Sequence, residues 1–344
     1  MHNELELWQF IGERLGKNES VMLLVVAESS GSSPGRQGYK MAVGAGGELI
    51  GSIGGGVMEV NLVEQSRAIL SEPPPSASGH SEGSPPYEGG VAEGRGGSLL
   101  ITQVHRKNSP NASGMICSGR QTVIFRRLLP DDAKTVDAVI ETLTKRRPDR
   151  LIISRQEFSL SPSKGGTQNS DFHFNKLSDT EFTYSEKLGF KNDLYIIGGG
   201  HCALALSELV SKMDFHISLF DDRPELNTID KNRFAHEITI IDGYDQITDY
   251  ILSGDNIYVV VMTLGYRSDE IVIRKLLDKR FKYFGVLGST AKMGTLMNAL
   301  KTEGYDPEKL AAIHTPIGLA INSRTPEEIA VSIAAEIIAV KNAD

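Results

Sequence analysis

Two glycine-rich loops, a few fixed charges and two cysteines carry most of the chemistry open to this chain. In Tyr195 to Ala205, YIIGGGHCALA, Gly198, Gly200 and Ala203 fill a G-x-G-x-x-A pattern. The first glycine of such a pattern turns the chain, the second lets backbone approach a phosphate, and the small third residue packs helix on strand. The N–H groups of the helix start then face an anion, helped by the helix dipole. His201 stands where it could donate to the same phosphate. Roughly twenty residues on, Asp221 ends a second apolar run, a position suited to accepting hydrogen bonds from a ribose diol. Such a site fits either an NAD(P)-dependent enzyme or a holder of some other nucleotide-like cofactor.

Other residues offer further anion and metal chemistry. Ser33, Arg36 and Lys40 lie in SSPGRQGYK, where fixed cations and free N–H groups suit a phosphate. Gly54, Gly55 and Gly56 form a second glycine loop, and Glu59 opens the helix after it, where a carboxylate gains from the dipole even without a ligand. Cys117 sits in GMICSG, a turn of small residues; an exposed thiolate there could ligate a soft metal ion or act as a nucleophile. Cys202, in the first turn of the fingerprint helix, reads as packing. Ser289 falls at a strand end with Gly288, and His314 either faces the cleft or packs beneath the turn that follows it. No H-E-x-x-H motif occurs, and no histidine pair has helical metal-ligand spacing, which argues against a protein-ligated zinc or iron site.

The elements that must position these residues follow from apolar spacing. The chain has 344 residues, enough for two cores, and a net charge of −8, which argues against nucleic acid or anionic membranes as partners. Two cysteines leave no disulfide framework, so a cytoplasmic setting is expected. The N-terminal MHNELELWQF lacks the features of a signal peptide, and no apolar run is long enough to span a membrane. Residues 1–188 predict a mixed α/β domain: a helix over 3–17, a buried strand over 21–27, a serine and glycine loop from Glu28, a helix over 57–70, an antiparallel pair over 98–104 and 121–128, and a helix over 131–145. Residues 72–97, rich in Pro, Ser, Gly and Glu, read as a flexible loop. Residues 189–344 alternate strands at 193–197, 216–220, 237–241, 256–262 and 281–286 with helical segments, the rhythm of a Rossmann-like doubly wound parallel sheet. The apolar helix from Ile329 to Val340 makes a homodimer the expected state.

The loops together resemble a known family. Ser32 to Arg36 with Gly38 to Lys40, Gly51 to Glu59, and Gly114 to Gly119 are similar to the N-terminal motifs of the XdhC/CoxI family, the xanthine dehydrogenase accessory factors. Gly198 to Ala203, Asp221 to Glu225, Gly288 and Ser289 with Lys292, and His314 to Ala339 resemble the rest of its pattern. The resemblance implies a cofactor-binding maturation chaperone rather than a catalyst. Such a protein binds the molybdenum cofactor, as molybdopterin or its cytosine dinucleotide form, and assists its sulfuration and insertion. Its implied partners are an apo molybdenum hydroxylase such as xanthine dehydrogenase, and a cysteine desulfurase. An NAD(P)-dependent oxidoreductase and a nucleotide-sensing regulator are the alternatives. Val57 stands where the glycine motif often continues with cysteine, Leu264 and Tyr266 where histidines are common, and Ala320 and Asn322 where an acid and a glycine are usual. Any role needing a thiol or imidazole at those positions is therefore absent.

Overall fold

A strand that is apolar at every position, such as Val21 to Ala27, needs cover on both of its faces, and the N-terminal unit provides it. A computed structural model describes residues 2–72, 97–104, 119–145, 147, 149–162 and 170–343. The chain divides into two units, Met1–Gly189 and Phe190–Asp344. In the first, helix α1 (His2–Gly16) precedes strands β1 (Val21–Gly31), β2 (Lys40–Gly44) and β3 (Leu49–Gly51), helix α2 (Gly56–Ser71), and strands β4 (Ser98–Val104) and β5 (Gly119–Leu128). These strands form an antiparallel sheet in the order β3-β2-β1-β5-β4. Helix α3 (Ala133–Lys145) then leads to β6 (Asp149–Ser154), β7 (Phe158–Pro162), β8 (Phe172–Lys176) and β9 (Phe182–Lys187), a second antiparallel sheet in the order β7-β6-β9-β8.

Alternation along β1 shows how the cover works. Leu23, Val25 and Ala27 share a core with Trp8 and Ile11 of α1, Val136 and Val139 of α3, and Leu151 and Tyr184 of the second sheet. Met22, Leu24 and Val26 point the other way, into a core with Met58, Leu62 and Val63 of the α2 region. The strand also runs further than its apolar residues predict. Beyond a bulge between Val26 and Glu28, residues Glu28 to Gly31 continue pairing with β5, so part of the expected serine loop is a hydrogen-bonded extension of β1. The expected flexible loop lies, from 73 to 96, outside the described residues.

The second unit is built from β10 (Asn192–Ile197), α4 (His201–Val210), β11 (Phe215–Asp221), α5 (Asn227–Lys231), β12 (Glu237–Ile240), β13 (Gly254–Val261), α6 (Tyr266–Leu276), β14 (Phe281–Val286), α7 (Thr290–Thr302), α8 (Pro307–Ala311) and α9 (Pro326–Lys341). All its strand pairs are parallel, in the order β12-β11-β10-β13-β14. This is the doubly wound Rossmann-like sheet, with its order reversing between β10 and β13, where open α/β sheets bind ligands. Tyr195, Ile197, Val259 and Val261 face one core, while Leu194, Ile196, Tyr258 and Val260 face the other. Helix α9 packs on α4 and places Ala330, Ile333, Ala334 and Ile337 in that second core. The apolar length that suggested dimerisation is thus largely used inside the unit. Among the described residues no helix is long and apolar enough to cross a membrane.

Candidate functional site

The glycine turn between β10 and α4 divides its labour residue by residue. Gly198 has φ 107°, and a Cβ there would lie 2.3 Å from the Met262 carbonyl oxygen, so only glycine lets the turn lie against the end of β13. Gly200 has φ −69° and is followed by α4; a Cβ there would meet nothing within 4 Å. Ala203 is fully buried under the turn, and His201 is exposed at the helix start. No side chain caps α4, so its first N–H groups face an open surface beside Gly200.

Asp221 departs from the role expected of it. It is fully buried, and four donors reach its two oxygens: the Gly199 N–H at 2.6 Å, the Arg223 N–H at 2.9 Å, and Arg223 Nε and Nη2 at 2.8 Å each. A carboxylate has about four lone-pair sites, and all are occupied. Burial pulls its pKa up, but the hydrogen bonds from Arg223 and Gly199 outweigh burial and hold the carboxyl below its usual range. Asp221 therefore anchors the glycine turn and is not a free acceptor for a ribose diol. The signal was present in the sequence: an arginine two residues after the acid.

At the ends of β13 and β14 a second buried acid holds a second cation. Asp269, 1% exposed, accepts from Thr263 Oγ1 at 2.6 Å and from Lys292 Nζ at 2.8 Å. Ser289 is the N-cap of α7, its hydroxyl accepting from the Lys292 N–H at 3.3 Å, so its oxygen is engaged in capping. Leu264 is largely exposed beside this group. His314 lies under the following turn: its ring packs against Tyr283, and Nδ1 is 3.2 Å from Glu336, which also accepts from the Gly318 N–H. The half-buried Cys202 has its thiol pKa raised, first by burial and then by Glu327, which disfavours the reactive thiolate.

In the first unit the first two N-terminal motifs and Gly119, the described end of the third, meet through backbone. A Cβ on Gly54 would lie 2.4 Å from the Gly35 nitrogen, and one on Gly119 would lie 2.5 Å from the Ser33 nitrogen. Loop 33–36 is thus pressed between the glycine loop and the start of β5. Ser33 is buried, and its hydroxyl donates to Gln121 at 2.9 Å; Gln121 in turn donates to Gln103 at 3.0 Å. Its expected part in ligand binding is replaced by this network. Glu59 fills the glycine loop itself: Oε2 accepts from Ser52 Oγ at 2.7 Å and from the Ile53 and Gly55 N–H groups at 2.9 Å each. A carboxylate of the chain already occupies the anion position there. Gly56, at φ 73°, opens α2 behind it, and a Cβ on Gly55 would meet nothing within 4 Å.

Lys40 is likewise committed. Its Nζ contacts Glu186 at 2.8 Å, Glu4 at 2.9 Å and the Gly38 carbonyl at 3.2 Å, and its side chain is 7% exposed. Burial alone would lower its pKa, but the two carboxylates outweigh it and hold the amine charged above the usual lysine range. The expected phosphate-binding lysine is an internal ion pair joining α1, β2 and β9. Arg36 is exposed and has no ion pair among the described residues. Cys117 lies outside the described residues. Among those described, no group of three His, Cys, Asp or Glu side chains could hold a metal.

Comparison with known proteins gives two family matches along the chain. Residues 15–76 match the XdhC and CoxI family, and residues 194–337 match the XdhC Rossmann domain. An uncharacterized Escherichia coli (strain K12) protein, YqeB, is 22% identical over 319 residues, 92% of this chain and 43% of its own length. A Bacillus subtilis (strain 168) protein described as a probable xanthine dehydrogenase subunit is 26% identical over 170 residues, 49% of each chain. The chain thus spans about half the length of the curated relatives it matches. A crystal structure described as a xanthine dehydrogenase from Bacillus halodurans has the same fold, with a TM-score of 0.69 at 20% identity over 98% of this chain and 95% of that one.

Proposed function

The chain belongs to the XdhC and CoxI family, and we propose that it is an accessory protein for a molybdenum hydroxylase of the xanthine dehydrogenase type. Its cargo is the molybdenum cofactor, which it binds and helps to sulfurate and insert. One observation carries this reading. The nucleotide-type turn leaves an open surface at Gly200 beside the unsatisfied N–H groups of α4, a place for a phosphate tail. That surface fits a phosphate-bearing cargo, and the Gly200 and His201 N–H groups would hold it, the Gly199 N–H being committed to Asp221. The terminal oxygens carry the negative charge that the helix dipole favours. Within the first unit, taken by itself, the exposed Arg36 is a cation suited to an anionic ligand. The thiol assigned to the sulfuration step is Cys117, with a cysteine desulfurase as sulfur donor.

The same geometry gives little support to hydride chemistry. A dehydrogenase positions a proton donor at the ring to be reduced. At the end of β13 the exposed side chain is Leu264, and the hydroxyl of Thr263 is taken up by Asp269. Co-expression with an apo molybdenum hydroxylase tests the proposal. Hydroxylase activity should rise when this protein is present, and Gly200→Val or Arg36→Ala should weaken the effect. A folded hydroxylase that gains no activity from the wild-type protein would refute the accessory role.

A further inference from the structure

Arg223 turns only one edge of its guanidinium toward Asp221. Of its five N–H hydrogens, the one on Nε and one on Nη2 make the two 2.8 Å bonds. One Nη1 hydrogen and the second Nη2 hydrogen point side by side from the free end, the other Nη1 hydrogen is turned back toward Cδ, and the side chain is 32% exposed. Among the described residues no other hydrogen bond uses that end. Asp221 is the last residue of β11, hydrogen-bonded to the glycine turn of the neighbouring strand, so Arg223 borders the ligand crevice on the β11 side. That is where Rossmann-type folds distinguish a free ribose diol from a phosphorylated one.

We propose that Arg223 is a specificity-determining residue that selects a nucleotide-like ligand bearing a phosphate at this end over one with a free ribose diol. The proposal rests on the C-terminal face taking a nucleotide-like ligand, and does not depend on that ligand being a pterin. A diol needs a carboxylate acceptor, and to reach Asp221 it must break charge-assisted bonds with Arg223 that the phosphate leaves in place. The free edge of the guanidinium presents two parallel N–H groups, the geometry that binds phosphate oxygens bidentately. Asp222, with its Oδ1 3.7 Å from Arg223 Nε and a side chain 37% exposed, is the other carboxylate in reach. Its repulsion is screened by solvent, and a preference for diols would be its signature. One consequence is that the cytosine dinucleotide form of the cofactor, whose ribose carries a free diol, is disfavoured here.

Isothermal titration of the full-length protein with adenosine 2′,5′-bisphosphate against 5′-AMP, and with NADP⁺ against NAD⁺, tests this. The 2′-phosphorylated member of each pair should bind about tenfold more tightly or better. Arg223→Gln should bring each pair to within a factor of about two, and Arg223→Lys should keep part of the preference. Thermal unfolding of both variants shows whether the turn survives, and the wild-type comparison decides the matter even where a variant does not fold. Equal affinity, preference for the diol, or no binding of either member by the wild type would overturn the proposal. Retained pterin without discrimination would remove it and leave the accessory role; discrimination without pterin would do the reverse.

Discussion

Gly198→Ala should remove much of the second unit's stability, while Gly200→Ala, two residues away, should be nearly silent. At φ 107°, Gly198 occupies a conformation that side chains rarely adopt, and an added Cβ would lie 2.3 Å from Met262 O, 2.6 Å from its carbonyl carbon and 2.8 Å from Thr263 N. Those atoms cannot easily give way. The Met262 N–H donates to Ile197 O at 2.8 Å, and the Gly198 N–H to Phe220 O at 2.7 Å, so the turn is tied to both neighbouring strands. Backbone strain of about 1–2 kcal/mol and about 1–3 kcal/mol for the clash and weakened hydrogen bonds sum to roughly 2–5 kcal/mol. That is a large part of a typical domain's 5–15 kcal/mol and corresponds to a fall of roughly 10 °C in Tm. Gly200 has an ordinary φ of −69° and open space at Cβ, so alanine there should change stability by less than about 0.5 kcal/mol. Because the single tryptophan, Trp8, belongs to the first unit, calorimetry or circular dichroism must follow this transition. A cost below about 1 kcal/mol for Gly198→Ala, or equal costs for the two variants, would refute the division of labour within the turn.

Lys40→Met should cost the first unit about 3 kcal/mol, because it leaves the fully buried Glu186 without its cation; urea unfolding followed by Trp8 fluorescence measures this. Asp221 has its pKa depressed in the fold, so its stabilising contribution is complete above the unfolded value of about 3.9 and is lost as pH falls through the lower folded value. Wild-type stability should therefore decline below about pH 4 more steeply than that of Asp221→Asn, and parallel slopes in that window would disprove the linkage. Cys202 should alkylate slowly at neutral pH, since burial raises its pKa, and Cys202→Ser should keep cofactor that Cys117→Ser loses. Equal retention by the two variants would assign structural roles to both thiols.

Local patterns made much of the C-terminal unit legible. Gly198 and Ala203 impose distinct steric requirements within six residues, and the five strands follow from short apolar runs separated by helical spacing. Charges whose partners are distant in sequence were not legible. Lys40 looked like a free cation in a glycine loop, yet Glu4 lies 36 positions before it and Glu186 lies 146 after it. Composition gives no hint of that closure, which depends on α1 and β9 both meeting β2. Glu59 and Asp221 are intermediate cases. Their partners, Gly55 four residues before and Arg223 two residues after, are close enough to be read as a capping acid and a local ion pair. The glycine and acid motifs nevertheless suggested a ligand where the chain supplies its own acceptor.

The most direct test of the central claim is mass spectrometry of the small molecules released on denaturing protein purified from a host that makes the molybdenum cofactor. The proposed function predicts a pterin, released in proportion to the protein and lost in Gly200→Val. A nicotinamide dinucleotide released without any pterin would contradict it.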